Sequence, residues 1–187
     1  MKAFLLYCLI IATVSTFSYG GILSSVEDYF WRDYTGILPN DALPGGIDSN
    51  GSTTYIAQIS IPSLWDPTRS TVDVLPAILQ AGAIIVYAPY NATVVYRSAS
   101  NSSVKILCSS NPRDYQWYST TEMLSPFHKY VIVGYEASSP LYAGRAVIHN
   151  ETVTGKIFAN DRDAGLIVAH NGTQTHQYSY KVLTYAP

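Results

Sequence analysis

The stretch "GGIDSNGSTTYIAQISI" (Gly45–Ile61) falls into two parts that obey different rules. From Thr53 to Ile61 the residues alternate, placing Tyr55, Ala57, Ile59 and Ile61 on one face, the period-2 pattern of a half-buried strand. From Gly45 to Gly51 there is no period. Its "DSNG" run is turn chemistry, because Asp and Asn side chains accept hydrogen bonds from nearby backbone amides. The preceding "WRDYTGILPNDALP" (31–44) also lacks a helical period, and the glycines of the whole run 31–51 do not stand between a strand and a helix as those of a phosphate loop do.

Outward from this stretch the same style continues. "AGAIIVYAP" (81–89), "ATVVYRS" (92–98) and "SVKILCSS" (103–110) read as strands bounded by Gly, Pro, Asn or Ser. "KYVIVGYE" (129–136), "PLYAGRAVIH" (140–149), "TGKIFAN" (154–160), "AGLIVAHN" (164–171) and "YSYKVLTYAP" (178–187) follow, with turn signals at Asn160-Asp161 and Asn171-Gly172. Helical periodicity is nearly absent. The expectation is an all-β chain of antiparallel strands.

The opening stretch also has a counterpart. "VGYEASSPLYAGRAVIH" (Val133–His149) again places an acid after glycine, then a loop, then a strand beginning Tyr-x-Ala/Gly-Gln/Arg. Trp31 and Trp117 precede the two acids at similar distances, and "VKILCSS" is answered by "YKVLTYAP". The period of roughly 80–90 residues exceeds those of solenoids and propellers and implies a duplicated lobe pair. The first copy carries an extra "PSLWDPTRSTV" (Pro62–Val72), read as a surface loop.

These residues resemble the DM-nine repeat family. The first copy supplies Trp31, Gly36-Ile37-Leu38-Pro39, Ala42, Gly45-Gly46-Ile47-Asp48 and Tyr55-Ile56-Ala57-Gln58. The second supplies Trp117, Tyr142-Ala143-Gly144-Arg145, Thr154-Gly155-Lys156 and Tyr180-Lys181-Val182-Leu183. The resemblance implies two tandem pseudo-symmetric repeats in one compact two-lobed unit, over residues 21–110 and 111–187. It also implies a lectin-like protein of innate immunity that binds mannose-type glycans. In such lectins the Gly-Gly-x-Asp acid and the Pro-Gly-Lys lysine grip vicinal sugar hydroxyls, the carboxylate accepting and the ammonium donating. Carried over, the acids are Asp48 and Glu136, and the lysine is Lys156. The first-copy lysine position falls on Ile78. The carbohydrate site is therefore expected at Glu136 with Lys156, or at Asp48 with Lys156 across the pseudo-dyad. The other class is a structural or protein-interaction module that kept the fold without the sugar site.

Each of these residues has a plainer reading. Asp48 caps its turn; Lys156 is an exposed strand lysine; Trp31 and Trp117 are core anchors rather than sugar platforms. Arg145 pairs with Glu136 or lines a pocket.

The 187-residue chain opens with Lys2 and an apolar run to about Val14, then Ser18-Tyr19-Gly20, which together read as a signal peptide over residues 1–20. No later segment is long and apolar enough to span a membrane as a helix. Sequons at Asn50, Asn91, Asn101, Asn150 and Asn171 agree with a secreted, extracellular glycoprotein. With Cys8 removed, Cys108 has no partner in the mature chain. It reads as a buried inert thiol, the alternative being an interchain disulfide in a homodimer. The formal net charge of −2 and the lack of a basic patch argue against nucleic acid and anionic membrane. No Gly-x-Ser-x-Gly or His-Glu-x-x-His occurs, so no enzyme and no cofactor are expected. His128, His149, His170 and His176 lack metal-ligand spacing, and Glu122 with Glu136 is only one of many acid pairs that could flank a glycosidic bond.

Overall fold

The computed structural model describes residues 28–65, 68, 71–101, 104–120, 129–161 and 163–185. The expected leader at 1–20, Glu122 and His128 lie outside them. The first seven strands are β1 (Tyr29–Asp33), β2 (Pro44–Ile47), β3 (Thr53–Pro62), β4 (Val72–Gln80), β5 (Ile85–Tyr90), β6 (Thr93–Ser98) and β7 (Val104–Ser109). Eight more follow: β8 (Tyr115–Thr120), β9 (Lys129–Tyr130), β10 (Ile132–Glu136), β11 (Ser139–Ile148), β12 (Glu151–Phe158), β13 (Leu166–His170), β14 (Thr173–Gln177) and β15 (Tyr180–Tyr185). Two short 3₁₀ turns are the only helical pieces among the described residues, and the chain is all-β.

Four hairpins turn on two residues with positive φ: Asn91-Ala92, Ala137-Ser138, His149-Asn150 and Asn171-Gly172. Positive φ at both positions matches the twist of the flanking antiparallel strands. Only Asn171-Gly172 has the residues that announce such a turn. β4 was also hidden, because Pro76 stands in its middle opposite Gln58 of β3, and proline argues against a central strand.

The pairing of the first seven strands is repeated by the rest. β3 lies between β2, β4 and β7, while β7 pairs with β1, β4 with β5, and β5 with β6. In the same way β11 lies between β10, β12 and β15, while β15 pairs with β8, β12 with β13, and β13 with β14. The register repeats as well. Ile56 faces Ile78 as Ala143 faces Lys156, and Gln58 faces Lys105 as Arg145 faces Lys181.

The two sets are interlocked. β2 pairs with β12 at Ile47–Thr152, and β10 pairs with β4 at Tyr135–Val74. Six strands therefore close a ring, β2-β3-β4-β10-β11-β12, with no free edge between the halves. Both junctions need glycine. A Cβ on Gly46 would collide with the Thr152 carbonyl, and one on Gly134 with the Val74 carbonyl.

Three apolar clusters follow from this topology. Tyr55, Ala57, Ile59 and Ile61 do share one face of β3, packed with Leu75, Leu79 and Val86. Ile56, on the opposite face, is buried with Leu43, Leu107, Val133, Ala143 and Leu183 in a cluster drawn from both halves. Trp31 and Trp117 flank that shared cluster, as core anchors would. The third cluster belongs to β11–β15, with Ile78 reaching in from β4.

Cys108 is fully buried, and burial pushes its thiol pKa up to about 11. An interchain disulfide through a fully buried thiol would require the core to open. The thiolate is the reactive form, so Cys108 in native protein at neutral pH is expected not to react with a thiol-specific chromogenic disulfide, and to react only once the protein is unfolded in denaturant. A fast native reaction would show that the β1–β7 edge opens readily.

Candidate functional site

The pseudo-dyad creates two equivalent positions where the acid after the glycine pair meets the strand partner of β3 or β11. Their chemistry has diverged. At one, Glu136 from β10 and Lys156 from β12 are brought together by the β10–β11–β12 pairing, and Lys156 Nζ donates to Glu136 Oε2. The pair expected from the sequence forms, but inside the protein: Glu136 is 3% and Lys156 1% exposed. Lys156 Nζ also donates to the Pro89 carbonyl at 2.8 Å and lies near the rings of Phe158 and Tyr90.

Asp73 of β4 completes this sealed network. Its carboxylate accepts from the Tyr90 hydroxyl at 2.6 Å and from the Ala137 amide at 3.0 Å. The Tyr90 oxygen in turn accepts from the Leu64 amide at 2.8 Å. Leu64 belongs to the Pro62–Val72 stretch, whose ends lie in β3 and β4, so this bond ties Leu64 to Tyr90 and through it to Asp73. Burial pushes the Glu136 carboxyl up and the Lys156 ammonium down, each opposed by the other's charge. Burial, followed by the bond to Asp73, raises the Tyr90 phenol.

The dyad-related position is open. Asp48 and Ile78 line a cleft of about 370 Å³ with Gln80, Glu151 and His170 among its polar residues and Ile47, Ile85, Tyr87 and Val94 among its apolar ones. Here Glu151 and His170 stand where Asp73 and Tyr90 stand in the sealed site. The Thr93 hydroxyl bonds the Tyr90 carbonyl at 2.9 Å, and the Thr173 hydroxyl bonds the His170 carbonyl at 3.0 Å. His170 Nε2 is 3.3 Å from Glu151 Oε2, and its ring stacks on His149.

Asp48 does cap its turn: Oδ1 accepts from the amides of Asn50 at 2.9 Å and Ser52 at 2.8 Å. Its second oxygen accepts from Gln80 Nε2 at 3.2 Å and faces the cleft. The buried Thr54 hydroxyl, also lining the cleft, has no hydrogen-bond partner among the described residues. Asp48 and Lys156 do not meet, because each is held by the partners named above. Nor does Arg145 pair with Glu136; its guanidinium lies over Trp117, 4.4 Å from the ring centre, and lines a second cleft.

The expected pairing of Glu136 with Lys156 forms while that of Asp48 with Lys156 does not, and Ile78 holds the register position that Lys156 holds in the other half. Sequence reading passed over Asp73, Tyr90, Gln80 and Glu151, and weighed His170 only as a metal ligand. Glu151 opens β12, the strand that carries Lys156, whereas Asp73 is the second residue of β4, a strand the sequence did not announce.

Among known proteins, the family model described as DM9 repeat matches residues 68–177, from before β4 through β14. No curated protein matches. Among solved structures, the crystal structure of the nematode sperm cell motility protein MFP2B aligns with a TM-score of 0.57 at 13% identity. The alignment covers 86% of this chain and 46% of that one, so the likeness is one of fold and this chain spans about half of the other's length.

Proposed function

The chain belongs to the DM9 repeat family, and from that premise we propose that it is a secreted, lectin-like binding protein that recognises mannose-type carbohydrate, without turnover, in innate immunity. The supporting observation is the open cleft, where Asp48, Gln80, Glu151 and an unpartnered Thr54 hydroxyl face a wall of Ile47, Ile78 and Tyr87. Carboxylates accept sugar hydroxyls, the amide and hydroxyl donate or accept, and the apolar wall suits the C–H face of a pyranose ring. Its volume is that of a site for one or two rings. Glu136 and Lys156 enter as the sealed counterpart, buried as the structure stands. The sequons are proposed glycan acceptors; Asn50, Asn91, Asn150 and Asn171 are exposed at turns.

One observation favours a second reading, an interaction module that has lost sugar binding. Ile78 removes the ammonium from the open cleft, while the remaining lysine is sealed. Titration calorimetry of deglycosylated protein with mannose and mannobiose separates the two. Asp48→Asn keeps the turn-capping oxygen and removes the charge, so wild-type binding is expected to weaken by about tenfold. Ile78→Lys is expected to strengthen it. Binding by Ile78→Lys alone would establish the second reading. Silence from all three proteins would remove carbohydrate from both.

A further inference from the structure

The second cleft, of about 690 Å³, lies on the other side of Ile47 and Thr152 from the first, and no carboxylate among the described residues lines it. Two cations do. Arg145 of β11 and Lys181 of β15 are direct cross-strand partners, and Lys181 is in turn opposite Ser119 of β8. The three side chains therefore form a row across one face of three adjacent strands. Like charges directly opposite each other destabilise a sheet, and neither cation has a carboxylate partner among the described residues.

The other half of the molecule shows the same row without the excess charge. There Gln58 is opposite Lys105, and Lys105 is opposite Asp33, with which it forms an ion pair of 2.7 Å. The duplicated unit thus has a neutral form, Gln–Lys–Asp, and a doubly cationic one, Arg–Lys–Ser. In the cationic row the acid has become a hydroxyl donor and the amide a guanidinium.

Arg145 is also held for use. It is half-buried, and its plane rests on Trp117. Stacking fixes the plane of a guanidinium while leaving its N–H edge free to donate. Burial lowers its pKa. Ser119, Ser179, Thr53 and Gln177 supply neutral polar groups around the two charges.

We propose that the Arg145–Lys181–Ser119 row is a binding site for a tetrahedral oxyanion, a sulfate or phosphate monoester, carried on a small hydroxyl-rich ligand such as a saccharide. A guanidinium fork, an ammonium and a hydroxyl donate from three directions, which matches three equivalent oxygens better than the two of a carboxylate. The site is separate from the Asp48 cleft, and either can fail without the other.

Ser119→Asp is the decisive variant. Ser119 is exposed, so the change does not touch the core, and it rebuilds beside Lys181 the acid that Asp33 provides beside Lys105. Titration calorimetry of the whole chain would use galactose 6-sulfate, glucose 6-phosphate and unmodified galactose as probes. The wild type is expected to bind one or both esters, more weakly as ionic strength rises. Ser119→Asp and Lys181→Gln are each expected to lower that affinity by about tenfold or more. Preference for one ester identifies the source of the oxyanion. The assignment is overturned if neither ester gives heat at millimolar concentration, or if both variants bind the esters as the wild type does.

Discussion

Replacing Lys156 by methionine is expected to destabilise the protein by about 3–5 kcal/mol, the cost of leaving one member of a buried ion pair without its partner. Glu136 would remain in a site that excludes water, and the Pro89 carbonyl would lose its donor. The double variant Lys156→Met/Glu136→Gln removes both charges, so it is expected to recover most of the loss. The measurement is a urea transition, compared through midpoints at constant slope.

The loss also depends on pH in a direction that follows from Glu136. Burial raises this carboxyl above its ordinary value of 4.5, and Lys156 is what holds it back. Without the lysine it is raised further. An acid raised on folding binds more protons folded than unfolded, so stability falls as pH climbs from the ordinary value through the raised one. The variant is therefore expected to be closer to wild type at about pH 5 than at about pH 8. A loss under about 1 kcal/mol at both would mean that Glu136 is solvated rather than buried. The same sensitivity makes Lys156 a poor residue with which to test sugar binding, since a folding defect would imitate a lost ligand.

What the sequence revealed and concealed follows from which forces act locally. β3, β5, β7 and β11 were legible because alternation and turn residues are local signals. β4 was not, since Pro76 opposes the strand assignment and only its neighbours β3, β5 and β10 hold it there. The equivalence of Ile78 and Lys156 was legible from the repeat pattern, and the register bears it out. That one site is sealed and its twin open was not legible. β10 meeting β4 sets Glu136 near Asp73, and β2 meeting β12 sets Asp48 beside Glu151 and His170. Both are long-range consequences of the interlock, and no window along the chain contains them.

The interlock itself predicts a symmetric pair of large effects. Gly46→Ala and Gly134→Ala should each cost about 3 kcal/mol or more, because the added methyl would displace a strand of the opposite half. The obstacle in each case is a backbone carbonyl, of Thr152 or Val74, which has no rotamer to escape into. Gly51→Ala and Gly172→Ala are the controls. Both glycines have positive φ but open space where the methyl would go, so the expected cost is only the conformational one, about 1–2 kcal/mol. Thermal and urea unfolding of the four variants would rank them. If Gly46→Ala costs no more than Gly51→Ala, the β2–β12 junction is not the close contact described here. Near-equal losses at Gly46 and Gly134 would show that the two crossings bear equally on stability. Each half contributes three consecutive strands of the ring, so both crossings must form for it to close.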